Sequence, residues 1–267
     1  MTHPLFDLSG RVALVTGVAQ GMGRSMAIGF AEAGADLLIC DINEAGAQAT
    51  ADQIRSLGRR VIATGSDITD VDQIRALFGT LDREFGKIDV LANVTGPSTL
   101  ARPEDLKLED LERVVHGLLI ARFYACQEGG KRMLAARKGS IINIGSVGGV
   151  TALGRGNIAY SAAMGGVIQM TRELSTEWAS SGVRVNAIVC AQVVNPGLEQ
   201  RMQVDPSLEA MFLRGIPIGR MGRPDDIKGL SIFLASDASA WITGAIIPMD
   251  GGNLAQNAGG TPGKAEG

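Results

Sequence analysis

The stretch "VTGVAQGMG", Val15 to Gly23, decides how the rest of the chain is read. An apolar run ends in it, three glycines punctuate it, and a helical pattern opens at its last letters. Gly17, Gly21 and Gly23 follow the spacing Gly-x3-Gly-x-Gly. Glycines here let the backbone turn tightly and approach a pyrophosphate at the amino end of the next helix, where free N–H groups favour an anion. A plain packing turn between strand and helix would also use glycine, so the loop needs a second signal. Asp41 supplies it, closing the next apolar run 18 positions after Gly23. A carboxylate there accepts hydrogen bonds from an adenosine ribose. Gln20 and Met22 complete the loop, and neither Gln20 nor Ile42 is an arginine that could welcome a 2′-phosphate. The expected cofactor is therefore NAD rather than NADP.

Outward from the loop, short β-rich runs alternate with helical patterns. The strands expected are "RVALVTG", "ADLLICD", "RRVIATG", "KIDVLANV", "GSIINIGS", "VRVNAIV" and "GAIIPMD". Each is almost continuously apolar, as strands covered by helices on both faces must be. Helices are expected near 21–33, 45–57, 71–85, 108–135, 159–180 and 225–235. Alternation of this kind predicts an α/β chain with a parallel sheet and crossover helices. The region 195–220 breaks the pattern, is polar, and follows a strand's carboxyl end, so it is the expected lid. Residues 1–253 read as one domain and 254–267, with little apolar content, as a flexible tail.

Composition narrows the function classes. With 267 residues, 45% of them hydrophobic, the chain can bury a large core. A net charge of -3 gives no basic field for nucleic acid or for an acidic membrane. The three cysteines, Cys40, Cys126 and Cys190, are far apart and suggest neither a disulfide framework nor a metal site. No apolar run reaches spanning length and "MTHPLFDLSG" has no signal-peptide pattern. The expectation is a cytoplasmic protein acting on a small molecule, with no metal, nucleic acid or membrane partner.

The motifs together resemble the short-chain dehydrogenase/reductase family from about residue 6 to residue 252. "FDLSGRVALVTG", the glycine loop, "SDITD", "INIGS", "YSAAM", "VRVNAI", "PIGRMGRPDDI" and "MDGG" carry the resemblance. It implies a single-domain doubly wound Rossmann fold with a seven-stranded parallel sheet. It also implies that Asp67 and Ile68 lie against adenine, that Asn93 braces the fourth strand beside the cofactor, and that Val193 and Asn195 meet the nicotinamide amide. The family's proton-transfer set is an asparagine, a serine, a tyrosine and a lysine. Ser146 matches the serine and Tyr160 the tyrosine. Met164 stands in the lysine position and Leu118 in the asparagine position, while Cys190 and Ala191 replace a proline-glycine pair.

Such losses have a calculable consequence. An unperturbed phenol has a pKa of about 10, leaving roughly one molecule in a thousand ionised at pH 7. A lysine charge about 4 Å away contributes on the order of 4 kcal/mol, or about three pKa units. The leading expectation is an NAD(H)-dependent oxidoreductase on a secondary alcohol or its carbonyl, with an altered proton relay centred on Ser146 and Tyr160. The alternatives are an NAD-binding pseudoenzyme that serves as a sensor or oligomer partner, and non-redox chemistry on the same scaffold. His116, two positions before Leu118, is weighed as a relay and as a surface histidine. Arg155 and Arg102 are candidates to grip an anionic substrate. The long helices 108–135 and 159–180 and the strand "AIIPMDGG" resemble the family's subunit contacts and imply a homotetramer.

Overall fold

Each of the seven apolar runs forms a strand; the central ones are buried on both faces, the edge strands Val61–Gly65 and Ile246–Met249 only partly, and the alternation of side chains divides the core in two. The computed structural model describes residues 3–256. The strands are β1 (Val12–Thr16), β2 (Asp36–Asp41), β3 (Val61–Gly65), β4 (Val90–Asn93), β5 (Gly139–Ser146), β6 (Val183–Cys190) and β7 (Ile246–Met249). Ala13, Val15, Leu37 and Ile39 point to one face, against Phe30, Ile54 and Leu234. Val12, Leu14, Leu38 and Cys40 point to the other, against Phe78, Leu81 and Met133. A period of two along each strand produces this division.

All strand pairs are parallel, in the order β3-β2-β1-β4-β5-β6-β7. The chain winds outward from β1 to β3, then returns to place β4 on the other side of β1. Loops leaving β1 and β4 therefore diverge to opposite faces, opening a crevice beyond their carboxyl ends. Helices α1 (Gly21–Glu32), α2 (Glu44–Ser56), α3 (Val71–Glu84), α4 (Leu108–Val115), α5 (Ala121–Ala136), α6 (Ile158–Trp178) and α9 (Ile227–Ala235) supply the covering layers. Between α6 and α9 lie the shorter α7 (Pro196–Val204) and α8 (Ser207–Leu213).

Two expectations need correction. The helix expected over 108–135 is interrupted by a π turn, His116–Ile120, between α4 and α5. Gly117 lies at this interruption, and a Cβ there would sit 2.6 Å from Pro97 and 3.0 Å from Thr69, so the helix passes close under the loop after β4. The region 195–220, read only as a polar break in the alternation, holds the two short helices α7 and α8. Asn195 caps α7 through a bond from Leu198 N, Pro196 follows at the first helical position, and Phe212, Ile216 and Met221 form a small apolar cluster beneath it. Of the expected tail, residues 254–256 are tied back, with Leu254 N donating to Asp250 at 2.8 Å. The remaining tail positions, 257–267, fall outside the described residues.

Candidate functional site

The glycine loop is built by close approach rather than by flexibility. Gly17 has φ +72° and a Cβ there would lie 2.4 Å from the Thr95 side chain. A Cβ on Gly23 would lie 2.0 Å from the Gly17 carbonyl oxygen, so α1 could not rest on the turn with any larger residue. Gly21, at φ +60°, faces open space, with nothing within 4 Å of the Cβ position. Gln20 precedes α1 and makes no side-chain cap, which leaves the helix amino end to an external acceptor. Asp41 is locked into the same turn: one carboxylate oxygen accepts from Ala19 N and the other from Asn43 N, both at 2.9 Å.

Two cavities extend from this turn. One of about 420 Å³ runs along the loop past Gly17, Gln20, Gly21, Met22 and Gly23 to Val193 and Asn195. The other, about 690 Å³, opens between Asp41 and Ile42 on one side and Asp67 and Ile68 on the other. Asp67 accepts from both the amide and the hydroxyl of Thr69 at 2.8 Å, which fixes the turn carrying Ile68. A bare helix end, a cradle that a Cβ would fill, and a fixed carboxylate fit a dinucleotide. Thr95 borders both cavities and the cleft described next, although the sequence reading passed over it. Its only signal was its place in "NVTG", immediately after a strand facing the glycine loop.

Beyond the loop lies a cleft of about 740 Å³ that brings Ser146, Tyr160, Met164, Leu118 and Arg155 together. Ser146 ends β5 and its hydroxyl oxygen accepts from Gly148 N at 3.1 Å. Tyr160 stands in the first turn of α6, with Met164 one turn further on. Gly149 lets the intervening loop touch this helix, since a Cβ there would lie 2.6 Å from the Met164 carbonyl carbon. Leu118, in the π turn, and Met164 are buried in one apolar cluster against which Tyr160 packs. Burial raises the Tyr160 pKa, while hydrogen bonding with Ser146 and the charge of Arg122 pull it down and Cys190 pushes it up; the net direction is upward. Tyr160 is thus a neutral phenol at pH 7.

Other expected residues take different places. Asn93 is buried and bonds to Asn143 at 3.0 Å and to the Cys126 sulfur at 3.3 Å. It braces β4 from within and does not line the crevice. Asn195 lines it, yet its amide is engaged locally, accepting from Leu198 N and donating to the Val193 carbonyl at 3.3 Å. Val193 pairs with Gly222, anchoring the chain just before α7. Arg102 is not among the cleft-lining residues; Arg201 of α7 is, beside Arg155. Arg155 stacks its guanidinium 4.9 Å from the Phe212 ring centroid. His116 bonds to the Thr69 carbonyl at 2.9 Å and lines the cavity with Asp41, away from Tyr160, so the relay reading of this histidine is not supported. Among the described residues no cluster of three or more His, Cys, Asp or Glu could hold a metal ion.

Arg122 was also missed. This residue of α5 is 2% exposed, and its guanidinium donates to the Ile144 carbonyl at 2.5 Å and the Thr95 carbonyl at 3.2 Å. A lone cation inside "LLIARFYAC" was the available signal.

Comparison with known proteins matches residues 17–253 to a family described as enoyl-(acyl carrier protein) reductase. D-threitol dehydrogenase of Mycolicibacterium smegmatis is 38% identical over 247 residues, covering 92% of this chain and 94% of that protein. The crystal structure of a short-chain type dehydrogenase/reductase from Mycobacterium marinum superposes with TM-score 0.88 at 30% identity, covering 94% and 98% of the two chains. A candidate 2-deoxy-D-gluconate 3-dehydrogenase from Agrobacterium tumefaciens, solved with bound NADP, gives TM-score 0.86 at 32% identity, covering 96% and 100%.

Proposed function

The chain belongs to the short-chain dehydrogenase/reductase family, and on that premise we propose that it is an NAD(H)-dependent oxidoreductase interconverting a secondary alcohol and its carbonyl. The observation that carries this reading is continuity. Met22, Thr95, Val193 and Asn195 border both the cavity at the glycine loop and the cleft holding Ser146 and Tyr160. A dinucleotide along the loop therefore ends beside the two hydroxyls. Gly17, Gln20, Gly21, Met22 and Gly23 would hold its pyrophosphate, Asp41 its adenosine ribose, and Asp67 and Ile68 its adenine. A bound nicotinamide supplies or removes the hydride. The chain's own part is to orient the substrate oxygen with Ser146 and to move a proton to or from it with Tyr160.

Asp41 is the basis for NAD over NADP, because a 2′-phosphate beside a fixed carboxylate meets like charge. Met164 and Leu118 are read as the positions where relatives of this family carry lysine and asparagine. With both apolar, Tyr160 has neither a neighbouring ammonium nor a polar side chain at these two positions to pass its proton onward. Alcohol oxidation is then slow near neutrality and quickens with pH. Arg155 and Arg201 face the cleft without a carboxylate in ion-pair reach among the described residues, which favours a small hydroxylated substrate carrying an acid group. D-threitol and 2-deoxy-D-gluconate, named for the relatives above, span the neutral and acidic ends of that class.

The raised Tyr160 pKa favours one second reading, an NAD-binding pseudoenzyme. Fluorescence titration with NADH and NADPH, followed by turnover on polyols, sugar acids and their ketones, separates the two. Binding with turnover supports the dehydrogenase; binding without turnover on any of them supports the pseudoenzyme.

A further inference from the structure

Arg122 has no evident structural reason to be charged. It is enclosed between α5 and the carboxyl ends of β4 and β5, and two backbone carbonyls are the acceptors it reaches. Its Nε has no partner, and among the described residues no carboxylate lies within ion-pair distance. A buried cation held this way is costly, and an apolar residue of similar length would fill the space more cheaply. The carbonyls it grips are not arbitrary. Thr95 and Ile144 both border the cleft, and Ile144 lies two residues before Ser146 on the same strand. Leu118, which packs with Tyr160, sits one turn before Arg122 across the end of the π turn.

We propose that Arg122 is a positioning residue for proton transfer, a cation fixed behind the Ser146–Tyr160 pair that favours the ionised Tyr160 in place of an ammonium at position 164. This rests on the dehydrogenase reading for its purpose, but not for its physics. The charge approaches from behind the cleft wall, where it need not touch cofactor or substrate. Burial lowers the Arg122 pKa to about 10, which leaves it a cation at neutral pH. Other groups facing Tyr160 are Ser146 from β5, Cys190 from β6, Leu118 from the π turn and Met164 from α6; Arg155 and Arg201 border the same cleft from the loop and the lid. The Cys190 thiol is pushed up to about 12 by burial and stays neutral. Arg122 is thus the fixed charge that acts on Tyr160 from inside the fold.

The test reads ionisation without turnover. Tyr124 and Tyr160 are the only two tyrosines, so ring-labelled tyrosine resolves Tyr160 by carbon NMR, with Tyr160→Phe assigning the signal. At pH 9, where Arg122 still carries its charge, the ionised fraction of Tyr160 should fall at least about threefold in Arg122→Met. If Arg122→Met does not fold, Arg122→Gln, which keeps an amide donor for one carbonyl, is read the same way and should show the same fall. An unchanged fraction in a folded, uncharged variant overturns the proposal. Absence of turnover in the parent protein would instead count against the dehydrogenase reading and leave this titration standing.

Discussion

Tyr160 and Asp41 are the two residues on which function turns, and each has a distinct test. Asp41 is held by two backbone N–H groups, so its charge cannot swing away from an incoming phosphate. NADH should bind at least about tenfold more tightly than NADPH, a difference above about 1.4 kcal/mol, and Asp41→Ala should erase most of it. Equal affinities in the parent would refute the role given to Asp41. At Met164 the question is charge. Met164→Lys places an ammonium one helical turn from Tyr160, but inside an apolar cluster with Leu118. The lysine alone should shift the oxidation profile toward lower pH by less than the three units that a fully effective neighbour would give. Adding Leu118→Asn should gain more in the lysine background than alone, and a double-mutant cycle measures that coupling. Additive effects would mean that the two positions do not cooperate.

At the scale of elements, what the sequence made legible follows from periodicity and glycine spacing. The strands announced themselves because both faces of the sheet are covered, which makes each run continuously apolar. The glycine loop was legible because Gly17 and Gly23 are demanded by contact, to Thr95 and to the Gly17 carbonyl. Gly17→Ala should therefore reduce NADH affinity at least about tenfold and lower the melting temperature, since φ +72° and Thr95 both resist a Cβ. Affinity and melting equal to the parent's would show that the loop tolerates the side chain. The π turn was not legible, because an extra residue in one helical turn leaves apolar spacing nearly intact on both sides. Arg122 behind the cleft wall and Arg201 within the cleft were not legible either, as their placement depends on how α5 and the α7–α8 segment pack. Inside the sheet, Asn143 links Asn93 to Thr171 through bonds of 3.0 and 3.1 Å. Asn143→Leu removes one hydrogen bond from each partner inside the core and should cost about 2 kcal/mol, seen as a melting temperature lower by roughly 4–8 °C. No change in melting would indicate that the network is not needed to hold β4 beside the crevice.

The whole molecule carries apolar surface that a lone chain has little use for. Phe123 and Ile120 are exposed around the start of α5, and Trp241 is 99% exposed just before β7. We propose that α4–α5, α6 and the β7 edge are contact surfaces of a homotetramer with two-fold symmetry. Light scattering at micromolar concentration should give four times the chain mass, and Phe123→Glu should lower it; a stable parent monomer would refute the assembly. The central claim is a dehydrogenase that retains its tyrosine without the adjacent cation. Because the Tyr160 pKa is raised above that of a free phenol, the active phenolate stays a minor species across the neutral range. The pH dependence of NAD reduction, measured for the parent and for Tyr160→Phe on polyols and sugar acids, tests this most directly. The account predicts a rate that climbs about tenfold per pH unit from 7 to 9 with no plateau, and that vanishes in the variant. A plateau reached near neutral pH, or a variant as fast as the parent, would contradict it.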